Sequence, residues 1–408
     1  MNCRFCEKTC GETILDLGFS PFSNAYLRQD QLSAIEAYYP LRLRVCEHCW
    51  LIQTEDYANA SELFTEDYAY YSSASKSWLA HASAFSKMAI ARFALDHTSF
   101  VMEVAANDGY LLKNFLDEGI PCVGIEPALE VSQKAVTQGI PIINAFFGTA
   151  LAKKMVTEQG KADLLIGNNV YAHVPDIRDF TEGLKVALSQ NGTISLEFPH
   201  ALNLFRSHQF DTVYHEHFSY LTLNTVIRIF AEAGLNVFDV EQIPTHGGSL
   251  RIFGAHELNT RLQTQAVADI LDAEHRAGLC DIKAMATLQS TAARIKLDLL
   301  SFLLDYKKRG KKIVAYGAAA KGNTLLNYAG IDTDLISCVF DAAESKQGKF
   351  LPGSHIPIRA PSELRDECPD AILILPWNIA DEIVSDITKL CVPGTKFFTA
   401  TPNLREVF

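Results

Sequence analysis

The sequence predicts an α/β protein in three parts, a small metal-pinned N-terminal module followed by two parallel-sheet units. Three observations predict it. Two Cys-x-x-Cys pairs, Cys3/Cys6 and Cys46/Cys49, stand near the N-terminus. From Val101 onward short apolar runs alternate with helical stretches, the pattern of βαβ units around a parallel sheet. At Lys312 the alternation begins again after a long helical stretch. The expected divisions are residues 1–75, 76–255 and 256–408.

Each element has its reason. Two thiolate pairs can close a tetrahedral sulfur cage, which zinc fits best. A module this small could not bury enough core without such a pin. A helix is expected from Lys76 to Leu95. Then come a strand at Val101–Ala105, a helix at Tyr110–Glu118, a strand at Cys122–Ile125 and a helix at Glu130–Gln138. Strands at Asp163–Ile166 and Thr193–Leu196 enclose another helix. A helix at Thr222–Ala233 precedes runs at Val237–Val240 and Ser249–Phe253, close enough to pair as a hairpin. Residues 258–310 read as helical throughout, with Ile295, Leu299, Phe302, Leu303 and Tyr306 on one face. The second unit opens with a strand at Ile313–Tyr316 and a helix at Thr324–Ala329. Strands at Ser337–Phe340, Ala371–Leu375 and Lys396–Phe398 follow.

Composition excludes several classes. A net charge of −12 argues against a general nucleic-acid binder, which needs clustered Lys and Arg. No apolar run approaches the length of a membrane helix, and the N-terminus lacks an export signal. Unpaired thiols reserved for metal suit a reducing compartment, so a cytoplasmic protein is expected. Cys10, Cys122, Cys280, Cys338, Cys368 and Cys391 are scattered and read as buried or inert.

Three places bear chemistry. After the first α/β strand stands Glu103-Val-Ala-Ala-Asn-Asp-Gly109, with Ala105, Asn107, Asp108 and Gly109 where a nucleotide-binding fold keeps small residues. Side chains intrude too far for a pyrophosphate, but S-adenosylmethionine carries none. Glu126 ends the second strand, placed for ribose hydroxyls, and Asn168 and Asn169 fall along the same crevice. The bland alternative is a sheet with an acidic loop and no cofactor.

The second place is Tyr214-His-Glu-His-Phe-Ser-Tyr220. Its His and Tyr side chains, His217 and Tyr214 among them, suit removing a proton beside a carbonyl and holding the enolate. Glu216 could orient a neighbouring imidazole or bind a substrate amine or hydroxyl, and His173 should face the same crevice. In a regular strand alternate residues share a face, so Tyr214 and Glu216 would oppose His215 and His217. A lone histidine is more often a satisfied structural group.

The third is Gly317-Ala-Ala-Ala-Lys-Gly322, between a strand and a helix. It is not a P-loop, since no Gly-Lys-Ser/Thr follows. Backbone N–H groups at the helix start favour an anion, Lys321 adds charge, and Asp341 could hold a ribose, so a nucleoside diphosphate fits. Here the bland reading is a turn required only for packing.

Together these motifs resemble the deoxysugar C-methyltransferases, which methylate a ring carbon of a nucleotide-linked keto sugar. The resemblance rests on the cysteine module, Glu103–Gly109, Asn169–Asp176, Tyr214–Tyr220, His246-Gly-Gly-Ser-Leu-Arg251 and Tyr316–Gly322, and spans nearly the whole chain. It implies a zinc module, a class I S-adenosylmethionine-methyltransferase (Rossmann-like) domain and a second Rossmann-like domain gripping a nucleoside-diphosphate-linked keto sugar. It implies His217 as base, Tyr214 and His173 as neighbours, and Glu216 as substrate partner. Tyr68 is a further site tyrosine, with Tyr70 and Tyr71 as competitors. Tyr316, Gly317, Lys321, Gly322, Asn323 and Asp341 fall to the nucleotide sugar. The expected reaction is methylation at C-3 of a 4-keto-6-deoxysugar, where the ketone acidifies the C–H. Competing readings are a nicotinamide-dependent nucleotide-sugar oxidoreductase using the Gly317 turn, and a non-catalytic nucleotide-sugar binder.

Overall fold

The computed structural model describes residues 1–57, 72–259 and 261–407. Strands β1 (Thr13–Ser20), β2 (Tyr39–Val45) and β3 (Ile52–Thr54) form an antiparallel sheet beside the cysteine pairs. Its apolar face, with Leu15, Leu43 and Ile52, packs in one core with Ile295, Leu299 and Leu303 of the long helix Ile282–Lys308. The cysteines instead pack with Tyr171, Val174 and Ile177 of the middle unit. The module is therefore wedged between the two larger units.

The middle unit holds β4 (Val101–Val104), β5 (Cys122–Ile125), β6 (Ile142–Ile143), β7 (Ala162–Asn168) and β8 (Leu188–Pro199). Next in the chain, β9 (Ser219–Tyr220) leaves this unit and adds to the module's sheet by pairing with β3. Strands β10 (Leu235–Ile243) and β11 (Ser249–His256) return and pair as the expected hairpin. The seven-stranded order is β10-β11-β8-β7-β4-β5-β6, with β11 antiparallel to both neighbours, as expected for a class I methyltransferase domain. Strand order reverses between β4 and β7, which opens a crevice at their carboxyl ends. Helix starts follow local capping: Ser75, Asp176 and Thr222 each accept a backbone N–H of the first turn.

The last sheet comprises β12 (Ile313–Tyr316), β13 (Val339–Phe340), β14 (Ile358–Arg359), β15 (Ala371–Ile374), β16 (Lys396–Thr399) and β17 (Arg405–Glu406). Its order, β14-β13-β12-β15-β16-β17, is parallel except at β17 and reverses at β12, so the Gly317 turn sits at a switch point.

Some expectations are corrected. Residues 258–310 are not one helical run: helices span Gln265–Arg276 and Ile282–Lys308. Gly278 lies at φ +76° and Asp281 caps the second helix, so the chain breaks and restarts there. The helix expected at Thr324 begins at Ala320. The strand expected from Ser337 is only Val339–Phe340. Of the scattered cysteines expected to be buried or inert, Cys280 and Cys368 are exposed.

Candidate active site

Behind β4 the backbone turns through left-handed conformations at Ala105 (φ +58°), Asn107 (φ +50°) and Gly109 (φ +78°). A side chain at Gly109 would meet Ile140 at 2.3 Å, so this glycine is required by packing as well as by conformation. Glu126 accepts the Asn107 N–H (3.0 Å) and the Ala128 N–H (2.9 Å), which ties the loop to the end of β5. Each of its oxygens keeps a second lone pair for a ligand hydroxyl. Asp108 is bound by Lys134 at 2.8 Å and Ser73 at 2.5 Å. Burial, reinforced by nearby Glu126 and Asp108, pushes the Glu103 carboxyl well above the carboxylate range.

Both oxygens of Glu103, both amide atoms of Asn168 and Oδ1 of Asn169 are buried without a protein partner. Groups so placed are costly unless polar ligand atoms meet them. Clustered at the strand ends of a class I fold, they fit the hydroxyls, amines and carboxylate of S-adenosylmethionine.

The segment after Thr212 is a turn rather than a strand. The His217 N–H bonds the Tyr214 carbonyl at 3.0 Å, which brings their rings to the same side. The Tyr214 hydroxyl lies 2.7 Å from His217 Nε2, and the ring centroids are 4.0 Å apart. His217 Nδ1 lies 3.2 Å from the Thr212 carbonyl, which can only accept, so the proton sits on Nδ1. Nε2 therefore presents its lone pair toward the Tyr214 hydroxyl. His173 packs edge-on against His217 at 4.6 Å. Burial, with His173 as the next contributor, holds His217 well below the usual histidine range. Burial likewise brings half-buried His173 and His246 down to about 4. All three imidazoles are thus neutral near pH 7, the state a proton acceptor needs.

His215 points the other way. It bonds the Pro40 carbonyl at 3.2 Å and meets Phe22 edge-on, so it fastens the turn to the N-terminal module. Glu216 receives an N–H from Asn24 at 2.7 Å, and burial pushes its carboxyl up to about 7. Tyr68, Tyr70 and Tyr71 lie outside the described residues.

In the last sheet's unit Gly317 adopts φ +92°, and a side chain there would strike Pro376 at 2.4 Å. A side chain at Gly322 would meet Leu375 at 2.8 Å. Asp341 accepts the N–H groups of Ala318 (2.7 Å) and Ala343 (2.8 Å), which shapes the turn. Burial holds the Tyr316 phenol up at about 12. The Asn323 amide donates to the Ser23 carbonyl at 2.6 Å and so reaches the N-terminal module. The Lys321 amine bonds Asn378 at 2.6 Å and lies 4.7 Å over the Trp377 ring. Burial lowers it to about 8, with Asp211 opposing that shift. Its charge also lowers His217 and His246, so it faces the imidazole cluster.

Sequence reasoning gave no role to several residues that converge here. His246 sat in a quoted motif, and its ring meets Trp78 at 5.1 Å. Glu197, at the end of β8 and fully buried, receives His81 (2.8 Å), Thr245 (2.9 Å) and Arg251 (3.1 Å). A carboxylate ending a central strand was the available signal.

The Sγ atoms of Cys3, Cys6, Cys46 and Cys49 all lie within 4.8 Å of one another. The Cys3–Cys49 and Cys6–Cys46 pairs stand at 3.5 and 3.4 Å. A zinc–thiolate tetrahedron with bonds of about 2.3 Å has edges of about 3.8 Å, so the four sulfurs fit the ion.

Residues 3–64 match a family described as a zinc binding domain, 78–240 a methyltransferase domain and 244–402 a C-methyltransferase C-terminal domain. The C-methyltransferase NovU of Streptomyces niveus is 30% identical over 405 residues, covering 99% of this chain and 96% of that protein. Among solved structures, the magnesium protoporphyrin IX methyltransferase ChlM of Synechocystis, with bound SAM, is 13% identical. It covers 44% of this chain and 79% of its own, with a TM-score of 0.34. The Bacillus YcgJ protein is 12% identical, covering 44% and 99%, with a TM-score of 0.36. The chain belongs to the S-adenosylmethionine-dependent C-methyltransferases with a zinc-binding N-terminal module.

Proposed function

We propose that this enzyme methylates C-3 of a nucleoside-diphosphate-linked 4-keto-6-deoxysugar, with His217 removing the C-3 proton. The chain divides for this purpose at residues 1–75, 76–255 and 256–408, and the sugar lies between the second and third parts. The observation that best supports the reading is the neutral His217 ring, its Nε2 lone pair beside the Tyr214 hydroxyl at 2.7 Å. A hydroxyl at that position can turn from the imidazole to the enolate oxygen as charge develops there. His173 and His246 keep the surroundings unfavourable to a resident imidazolium, so the proton is taken only when the enolate forms to balance it. Glu216 meets the hydroxyl or amino group beside the reacting carbon.

Glu103, Asn107, Glu126, Asn168 and Asn169 hold the cofactor. When bound, S-adenosylmethionine supplies an electrophilic methyl group that the enolate carbon takes. Holding the two reactants in line supplies much of the acceleration. On the sugar side, Asp341, Gly317 and Gly322 shape the turn under the diphosphate, and Lys321 offers a cation next to it. A ketone at C-4 acidifies C-5 as well as C-3, so the carbon is the finer part of the reading.

The test is turnover of thymidine diphosphate-4-keto-6-deoxyglucose with the methyl donor in D2O, read by mass spectrometry and NMR. A new C–CH3 at C-3 with loss of the original C-3 hydrogen is expected. A methyl on oxygen or nitrogen would overturn the enolate, and a methyl on C-5 would overturn the choice of carbon alone.

A further inference from the structure

The zinc-binding module reaches into the site. Between β1 and β2 its chain passes from Pro21 to Leu27 through the junction of the two α/β units. Four contacts pin this loop. The Ser23 carbonyl accepts Asn323 Nδ2 at 2.6 Å. The Tyr26 hydroxyl donates to the Ala318 carbonyl at 2.6 Å, inside the Gly317 turn. Leu27 and Phe350 exchange two backbone hydrogen bonds, at 3.0 and 2.8 Å. Between these anchors stands Asn24, whose Nδ2 lies 2.7 Å from Glu216 Oε1.

The chemistry of that pair is specific. An ionised carboxylate only accepts, so the nitrogen of the amide must face Glu216. Oδ1 of Asn24 then lies 3.3 Å from the Tyr26 hydroxyl, whose single proton goes to the shorter bond with Ala318. Glu216 is only 3% exposed. Among the described residues no Lys or Arg forms an ion pair with it. The titratable groups around it are Tyr26 from the module, His173 from the turn after β7, and His215 and His217 on either side, with Asp341 beyond Tyr26. A neutral amide favours the carboxylate without cancelling its charge, as a guanidinium would.

We propose that Asn24 is a positioning residue of the active site: it holds one oxygen of Glu216 so that the other meets the hydroxyl or amino group beside the reacting carbon. The substrate half rests on the role of Glu216 proposed above, whereas the coupling of Asn24 to Glu216 does not. The loop keeps its three other anchors without this side chain, so Asn24→Ala should fold.

Two measurements test it. Infrared difference spectra across pH follow the Glu216 carboxyl band, identified by its loss in Glu216→Gln. In Asn24→Ala the midpoint should rise so that protons bind about tenfold more tightly. An unmoved midpoint overturns the coupling, whatever the reaction proves to be. In turnover of thymidine diphosphate-4-keto-6-deoxyglucose, Asn24→Ala should lower kcat/KM for the sugar about tenfold and leave KM for S-adenosylmethionine unchanged. The isosteric Asn24→Asp, which replaces the donor by an acceptor, should lose at least as much. Neither substitution should cost anything further in a Glu216→Gln background. Equal losses in both backgrounds would mean that Asn24 acts by another route, and the proposal would fail.

Discussion

Replacing His217 by asparagine separates folding from chemistry. The asparagine amide nitrogen falls where Nδ1 lies, so the bond to the Thr212 carbonyl, 3.2 Å in the parent, can be kept. What disappears is Nε2 and its contact with the Tyr214 hydroxyl. One such hydrogen bond contributes about 1 kcal/mol to stability. For a chain of 408 residues that corresponds to a fall in melting temperature of roughly 1 °C. A positioned general base is worth about 10²–10⁴ in rate, or roughly 2.7–5.5 kcal/mol of barrier. The chemical loss should therefore far exceed the structural one. The assay is exchange of the sugar's C-3 hydrogen with D2O, run with S-adenosylhomocysteine in place of the methyl donor so that only deprotonation is read. Single-turnover methyl transfer is measured alongside. Both rates should fall about 10²–10⁴-fold. Exchange at the parent rate would remove His217 from the base role. If methyl transfer were lost while exchange persisted, the proton would have to leave through Tyr214 or His173.

Four further outcomes follow from the same geometry. Glu216 is held up at about 7 while His217 stays well below the usual histidine range, so acidification protonates Glu216 first. The acid limb of kcat/KM should fall near pH 7 in the parent and vanish from that position in Glu216→Gln; a limb that stays put assigns it elsewhere. The same raised carboxyl favours folding most below its unfolded value near 4.5, and that contribution is lost as pH rises through about 7, which urea titrations of parent and Glu216→Gln will read. Arg251→Ala leaves the fully buried Glu197 with only His81 and Thr245, and should destabilise by about 3–5 kcal/mol in urea unfolding, against well under 1 kcal/mol if the pair were incidental. Stripping zinc from the four thiolates should lower the melting temperature and abolish turnover, with both restored by added zinc; full turnover in metal-free protein would show the cage to be dispensable.

Much of the fold was legible because local chemistry repeats it. The cysteine spacing, the apolar runs of β4, β5, β7 and β12, and the carboxylates Glu126 and Asp341 at strand ends all follow from patterns a few residues long. The helical break near Gly278 was hidden because apolar spacing continues on both sides, and only the left-handed glycine and the Asp281 cap mark it. The Tyr214–Tyr220 segment showed its reactive residues but not its shape. Read as a strand, it would have set Tyr214 and His217 on opposite faces. The turn closed by the His217 N–H unites them. Asn24 was invisible for a different reason. Its partner is Glu216, and Asn323 meets Ser23, contacts that span 192 and 300 residues and leave no periodic trace.

Those long-range contacts bear on why a zinc cage belongs in such an enzyme at all. β9 starts two residues after His217 and is an edge strand of the module's own sheet, paired to β3. Thr54 of β3 gives its hydroxyl to the His217 carbonyl at 3.0 Å and its N–H to the Phe218 carbonyl at 3.2 Å. The β2–β3 connection carries Cys46 and Cys49, so the metal fixes the strand that fixes the histidine. A misplacement of about 1 Å in a reacting group can cost on the order of a hundredfold in rate. Ordering a strand of three residues beside a turn needs support that the strand's own hydrogen bonds cannot give, because each contributes only about 1 kcal/mol net. The cage supplies that support within the same few residues, and in doing so couples a metal remote from the reacting carbon to the position of His217.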